Sequence, residues 1–171
     1  MPALDRKREL TDILIVAGVC SVLLLAVFAT PYLYGFGHQA KAANLSRDTQ
    51  KLINKIEIAL SMYQKTVQSY PPGTHEKPGT LFKYLGQKVP VAGGKTIGPF
   101  IIFRFDELDE SVKAPIVVDR WGHPIVFISD PAKVVHNKGG VDIFSLGPDG
   151  QTPPDAPGTG ADDLNNWTPE R

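Results

Sequence analysis

Apolar and polar positions divide the chain into four stretches of different character. The first, Ile13 to Phe36, reads ILIVAGVCSVLLLAVFATPYLYGF, 24 residues without a charge. About 20 apolar residues cross a bilayer as a helix. A core helix of that length would carry a polar stripe, and this one has none. The pattern predicts a transmembrane helix over 13–36. A cleavable secretory signal is the competing reading, but its apolar core would be shorter and followed by a small-x-small site. Arg6, Lys7 and Arg8 precede the stretch, and Lys41 is the nearest cation beyond it. Positive residues stay inside, so residues 1–12 are expected in the cytoplasm and residues 37–171 on the far side. Tyr32 and Tyr34 sit where an interfacial aromatic belt lies.

The second stretch, 40–69, is periodic. Leu45, Thr49, Leu52, Ile56, Leu60, Tyr63, Val67 and Tyr70 recur at intervals of three and four, which is one face of a helix. Arg47, Lys51, Lys55 and Lys65 occupy other faces. Thirty such residues make a helix of about 45 Å, and Pro71-Pro72-Gly73 ends it. The stripe is narrow enough to pack on a sheet of the same chain, or alternatively on a partner. Gly35 and Gly37 leave open whether this helix and the apolar one are one bent rod or two.

The third stretch, 71–98, is a Pro-, Gly- and Lys-rich loop region with a short helix expected at Thr80–Leu85. Four short runs rich in β-branched and aromatic residues follow: Phe100–Phe103, Ile116–Val118, Ile125–Ile128 and Val141–Phe144. Turn residues bound each run, so strands are expected over 99–145. Their short connections make an antiparallel sheet. The last stretch, from Gly147, is poor in apolar residues and reads as a loop over 146–167. Hydrophobic burial alone does not order such a segment.

Composition sharpens this picture in two places. Cys20 is the sole cysteine, which excludes an intrachain disulfide. The 18 Lys+Arg balance 18 Asp+Glu, which argues against nucleic acid as a partner. The zero is a sum of opposite halves. Residues 37–104 hold ten cations and three acids, +7, whereas residues 105–171 hold five cations and twelve acids, −7. Both halves are either simply solvated, or the acidic one holds a cation or docks on a neighbour's basic half.

Three motifs in the last third carry a resemblance: Asp119-Arg-Trp-Gly-His-Pro124, Asp142-Ile-Phe-Ser-Leu-Gly-Pro-Asp-Gly150 and Asp162-Asp-Leu-Asn-Asn-Trp167. In this order they resemble the D-x-W-G-x-P turn, the D-I-F-S-L-G-x-D-G segment and the D-D-I-x-N-W segment of the major pseudopilins of type II secretion systems, within the wider type IV pilin-like family. Tyr70-Pro71 and Pro31 also match family positions. The resemblance implies an α+β, pilin-like fold: a long N-terminal helix, membrane anchor plus amphipathic part, packed on a small antiparallel sheet. It implies a structural subunit of a secretion pseudopilus or pilus-like assembly in the inner membrane. Its partners would be other pseudopilin subunits and inner-membrane components of the secretion machine. At the N-terminus, Glu9 stands where the family carries the glycine of the prepilin cleavage site, and Leu14 where it carries a glutamate. A membrane-tethered accessory protein that reuses the fold without polymerising is the alternative.

The resemblance also implies a calcium site in the final loop, with Asp149, Asp162 and Asp163 as carboxylate ligands and Leu146 and Gly160 as carbonyl ligands. Calcium takes six to eight oxygens from such groups, and glycines let carbonyls turn toward an ion. An acidic solvated tail is the competing account. Enzymatic readings have little to stand on. His38, His75, His123 and His136 lack metal spacing and read as solvated loop residues. Ser145 is not in a G-x-S-x-G elbow. Asp106, Glu107, Asp109 and Glu110 read as a hydrophilic loop, and Gly93-Gly94-Lys95-Thr96 lacks the first glycine of a phosphate loop. No enzymatic activity is expected.

Overall fold

In a computed structural model of the protein, the described residues form an amphipathic helix and three small antiparallel sheets, two of which share a core with the helix. The structure describes residues 41–74, 77, 79–91 and 93–168. The expected cytoplasmic segment 1–12, the transmembrane stretch 13–36, and His38 and His75 lie outside these residues. Among the described residues, no helix is long and apolar enough to cross a membrane.

Helix α1 covers 41–67. The predicted stripe faces inward: Thr49, Leu52, Ile56, Leu60 and Tyr63 are buried. Ile53 and Ala59 are buried too, so the apolar face is wider than a strict three-four stripe and spans the arc typical of a helix on a globular core. The helix stops before the prolines reach it. Gln68 takes a left-handed backbone, φ 65°, and its N–H donates to the Gln64 carbonyl at 2.8 Å. Its side-chain Nε2 donates to the Lys65 carbonyl at 2.8 Å, satisfying a second carbonyl of the last turn. The chain then runs along the strand that contains Phe127. Thr74 N–H donates to the Phe127 carbonyl at 2.9 Å, and Phe127 N–H donates back to Thr74 Oγ1 at 2.7 Å.

The short helix expected at Thr80–Leu85 is present in a widened form. Residues 80–81 are helical and Phe82–Gly86 make a π turn. Leu81 and Leu85 are buried beneath α1's partners in the core.

Strands β1 (Val89–Pro90) and β2 (Thr96–Ile97) pair as a hairpin. Strands β3 (Leu108–Asp109) and β4 (Ile116–Val117) pair as a second. Strands β5 (Val126–Ile128), β6 (Asp142–Ser145) and β7 (Leu164–Asn165) form a three-stranded sheet in that order. Val126 faces Phe144, Phe127 faces Ile143, and Phe144 faces Asn165. Thus β strands form at three of the four predicted runs, but in separate small sheets. Phe100–Phe103 is not a strand. The N–H groups of Phe100 and Ile101 both go to the Leu85 carbonyl, at 2.8 and 3.2 Å, so this run caps the π turn. The segment 146–167 is also not wholly loop, since β7 lies within it and completes the sheet.

The core joins Leu52, Ile53, Ile56 and Leu60 of α1 to Val117, Ile125, Phe127 and Ile143 of the strands. Tyr63 meets the rings of Tyr84 and Phe100 edge-on, with centroids 6.0 and 5.6 Å away. Burying each such aliphatic or aromatic side chain contributes about 1.5–3 kcal/mol. This cluster therefore holds α1 to the sheets.

Candidate functional site

The three motif segments, far apart in sequence, meet through buried polar side chains. Asp119, 2% exposed, opens the first turn. Its Oδ1 accepts the Trp121 and His123 N–H groups, both at 2.9 Å. Its Oδ2 accepts the Ser145 hydroxyl at 2.6 Å. Ser145 Oγ in turn accepts the Gly147 N–H at 3.1 Å. His123 Nδ1 lies 2.8 Å from the Gly147 carbonyl, so that nitrogen carries the proton and donates. The turn and the segment after β6 are thereby one hydrogen-bonded piece. Gly147 has φ 63°, and a Cβ there would come within 2.7 Å of Asp162 Oδ2 and closer still to the Asp162 carbonyl. This close approach brings the third motif against the second.

Asp142 organises the other side. Its carboxylate accepts N–H groups of Val135, His136 and Asn137 at 2.8, 3.1 and 2.8 Å. Asn166 accepts the Ile143 N–H at 3.0 Å and donates to the Val141 carbonyl and to Glu57 of α1, at 3.1 and 3.0 Å. Asn165 donates to the Gly158 carbonyl at 2.9 Å and accepts the Thr168 N–H at 2.8 Å. Two further bonds tie α1 to the motifs directly: Gln50 Nε2 to the Asn165 carbonyl at 3.1 Å, and Arg120 N–H to Thr49 Oγ1 at 3.2 Å. Buried polar groups are tolerated when paired, and these are paired repeatedly. The tail that lacks apolar residues is thus ordered by a polar network, with Trp167 stacked on His136 at a centroid distance of 4.1 Å.

The five residues expected around a cation are brought together only in part. Asp162 Oδ2 accepts the Asp149 N–H at 3.3 Å. Asp163 Oδ2 accepts the Gly160 N–H and the Thr152 hydroxyl, both at 2.7 Å. The Gly160 carbonyl accepts the Asp163 N–H at 3.2 Å. Asp149 is exposed and its carboxylate caps the Gln151 N–H at 2.8 Å. Leu146 is half-buried at the end of β6. Among the described residues, no three His, Cys, Asp or Glu side chains converge in a way that would hold a metal ion. One atom does fit a cation: Asp163 Oδ1 is buried and has no hydrogen-bond partner among the described residues. A buried carboxylate oxygen without a donor is costly unless something positive faces it. Asp163 lines an open groove of about 830 Å³ between α1 and the tail, together with Arg47, Gln50, Gly160 and Trp167.

The other candidates resolve into structural roles. Ser145, Asp119 and His123 lie together, with His123 Nδ1 3.8 Å from Asp119 Oδ2. Ser145 donates to Asp119 instead of to histidine and is fully buried, which is not the order of a nucleophile and its base. His123 and His136 are half-buried and engaged, in place of the solvated loop histidines expected. Glu107 is buried, pairs with Lys55 at 3.1 Å and accepts the Arg104 N–H at 2.8 Å. Asp106 lies between Arg104 and Arg120, and hydrogen bonding to Arg104 first, then to Arg120, holds its carboxyl down to about 2. Asp119, Asp142, Asn165 and Asn166 stand in the three motifs, and the motifs alone give them no role. The available signal was polar residues fixed directly beside apolar strand residues.

No family model matches the chain, and no curated protein matches it. Among solved structures it is similar to the crystal structure of the major pseudopilin from the type 2 secretion system of enterohaemorrhagic Escherichia coli, at 25% identity over 77% of this chain and 92% of that one. The TM-score is 0.43.

Proposed function

We propose that this chain is a structural, non-enzymatic subunit of a type II secretion pseudopilus or type IV pilus-like assembly, acting in protein secretion. The supporting observation is the convergence of its three pseudopilin-like motifs. Asp119, Ser145 and Gly147, with the close approach of Asp162, join separate segments into one scaffold tied to α1 through Thr49 and Gln50. A subunit that transmits force needs its globular part fixed to its helix, and these bonds do that. In this reading the stretch 13–36 is a single-pass inner-membrane anchor, residues 1–12 are cytoplasmic and the remainder is extracytoplasmic. Its partners are other pseudopilin subunits and inner-membrane components of the secretion machine.

Calcium in the final loop belongs to the same proposal. Asp163, with its open buried oxygen, would hold it together with Asp149, Asp162 and the carbonyls of Leu146 and Gly160. The ion would supply positive charge to the Asp163 oxygen that has no donor.

The N-terminal residues favour a second reading. Glu9 and Leu14, at the positions of the cleavage glycine and the following glutamate, suit a tethered accessory protein that does not polymerise. Expressing the full chain with and without prepilin peptidase, then measuring its mass and self-crosslinking, separates the two. A shortened product that crosslinks into a ladder supports the subunit. An uncut, monomeric product supports the accessory protein.

A further inference from the structure

α1 carries a second stripe, on the side turned to solvent. Lys51, Lys55, Ile58, Met62 and Lys65 recur at intervals of three and four, so they share one face of the helix. Ile58 is 63% exposed and Met62 is 50% exposed. Across from Ile58, Ile102 is 82% exposed, and the two line one shallow groove of about 380 Å³ with Ala59 and Ile101. Lys55 Nζ donates to the Ile102 carbonyl at 2.8 Å and pairs with buried Glu107, so the segment from Ile102 to Glu107 is fixed beside the helix. Phe105, in that segment, is 83% exposed. Lone exposed apolar side chains need no explanation, but a group of them around one groove marks a surface that meets a protein or a membrane.

We propose that this face is a membrane contact, laid on the headgroup–acyl boundary of the bilayer that holds the chain's own anchor. The contact rests on the reading of 13–36 as a membrane-spanning helix. That stretch ends at Phe36, and residue 41 is already in α1, so at most about 18 Å of extended chain separates the two. A bilayer surface is therefore always within reach of this domain, whereas a soluble partner must be met by diffusion. The stripe has the pattern of a helix that lies in an interface. Its apolar side chains sit between lysines, whose long stems follow apolar surface while their ammonium groups reach for headgroups. Lys51 and Lys55 are engaged with Asp48 and Glu107, so apolar burial supplies most of the attraction. Lys65, exposed and without an ion pair among the described residues, is the cation left for an anionic headgroup. Asp106, beside Phe105 in sequence, is held between Arg104 and Arg120, which offsets its charge. Ile58 lies 17 residues after residue 41, about 26 Å along the helix axis. It meets the bilayer only when α1 lies along the surface, so the contact specifies a reclining domain and not an upright one.

The test uses the full chain with Cys20→Ser as background, reconstituted into vesicles of phosphatidylethanolamine and phosphatidylglycerol. Met62→Cys or Ile102→Cys carries an environment-sensitive nitrobenzoxadiazole label, and Asp155→Cys, in the exposed proline-rich loop, is the control. Lipids with a nitroxide at the top of the acyl chain are expected to quench the labels on Met62→Cys and Ile102→Cys about threefold more than the control, with a blue shift of their emission. Adding Ile58→Asp to the Ile102→Cys chain should remove that excess. Ile58 and Ile102 are largely exposed, so tryptophan fluorescence should remain that of the folded domain. Quenching no greater than at Asp155→Cys, or an excess indifferent to Ile58→Asp, would overturn the proposal. So would a bis-maleimide link between two Ile102→Cys copies in place of the quenching, which would make this face a contact between copies. Extraction with alkaline carbonate separates the two levels. A chain that resists extraction but shows no excess quenching keeps its anchor and loses this contact. A chain that is extracted has no anchor, and both readings fail.

Discussion

Replacing Asp119 with alanine removes the acceptor on which the first two motifs depend. Three donors lose it: the Trp121 and His123 N–H groups and the Ser145 hydroxyl. A hydrogen bond to a charged group is worth about 1.5–3 kcal/mol, and a buried donor left unpaired costs about 1–3 kcal/mol. Water reaching the half-buried His123 relieves part of the loss, so the expected total is about 3–5 kcal/mol. Asp119→Asn is the discriminating companion. Its carbonyl oxygen still serves the two N–H groups, while its amide replaces the acceptor facing Ser145. Ser145 must then accept from the amide while it also accepts from Gly147, for a cost of about 1–2 kcal/mol. Urea denaturation of the detergent-solubilised full chain reads both, because Trp121 and Trp167 lie in the motifs and report the folded region that contains them. With a slope of about 2 kcal/mol per M, Asp119→Ala should lower the midpoint by about 2 M and Asp119→Asn by under about 1 M. Equal shifts for the two variants, or a shift no larger than that of the exposed control Asp155→Ala, would refute this account of the turn.

Four further outcomes follow from other parts of the structure. Gly147→Ala, placing a methyl against Asp162 at a φ of 63°, should destabilise by about 2–4 kcal/mol in the same assay, whereas alanine at Gly139, which meets no neighbour, costs only its backbone strain. Gln68→Gly should raise stability modestly, by about 0.5 kcal/mol, because glycine adopts the left-handed helix end without strain; the lost bond to Lys65 keeps the gain small. Asp106, depressed from 3.8 to about 2, contributes stability that is fully present above about pH 4 and disappears as pH falls toward 2; the stability gap between the parent and Asp106→Asn, followed from pH 5 to 2, should close over that window and not elsewhere. Calcium should raise the melting temperature, and Asp163→Asn or Asp149→Ala should abolish the rise; an unchanged melting curve with and without calcium speaks against the ion.

Periodic features were readable from the chain, and features made by long-range pairing were not. The stripe from Thr49 to Tyr63 located α1 because helical spacing is a local property. Ile53 and Ala59 escaped because a face of seven residues is wider than a three-four ladder shows. The prolines at 71 and 72 predict the helix end, but an unremarkable glutamine, Gln68, terminates it first. The run Phe100–Phe103 has the composition of a strand, but the N–H groups of Phe100 and Ile101 both go to one carbonyl, that of Leu85. Apolar poverty implies that something besides hydrophobic burial orders the tail. Asn165, Asn166 and Thr152 supply much of that order through hydrogen bonds whose partners lie up to 115 residues away. Such partners leave no trace in local composition. The motifs did mark the right residues, because they coincide with the positions where those distant bonds converge.

The position of β7 sets the order in which the domain can be completed. A chain made from its N-terminus produces α1 long before β7, and the bonds of Gln50 and Glu57 reach across 115 and 109 residues to Asn165 and Asn166. Until those last residues are available, the flank of the helix and the free edge of β6 stay open to water and to other chains. Contacts so distant in sequence slow folding, because loop closure precedes the gain. Completion therefore waits until Asn166 has been made, and a chain cut short before Leu164 would have its long helix and most of its core but no β7 to seal them.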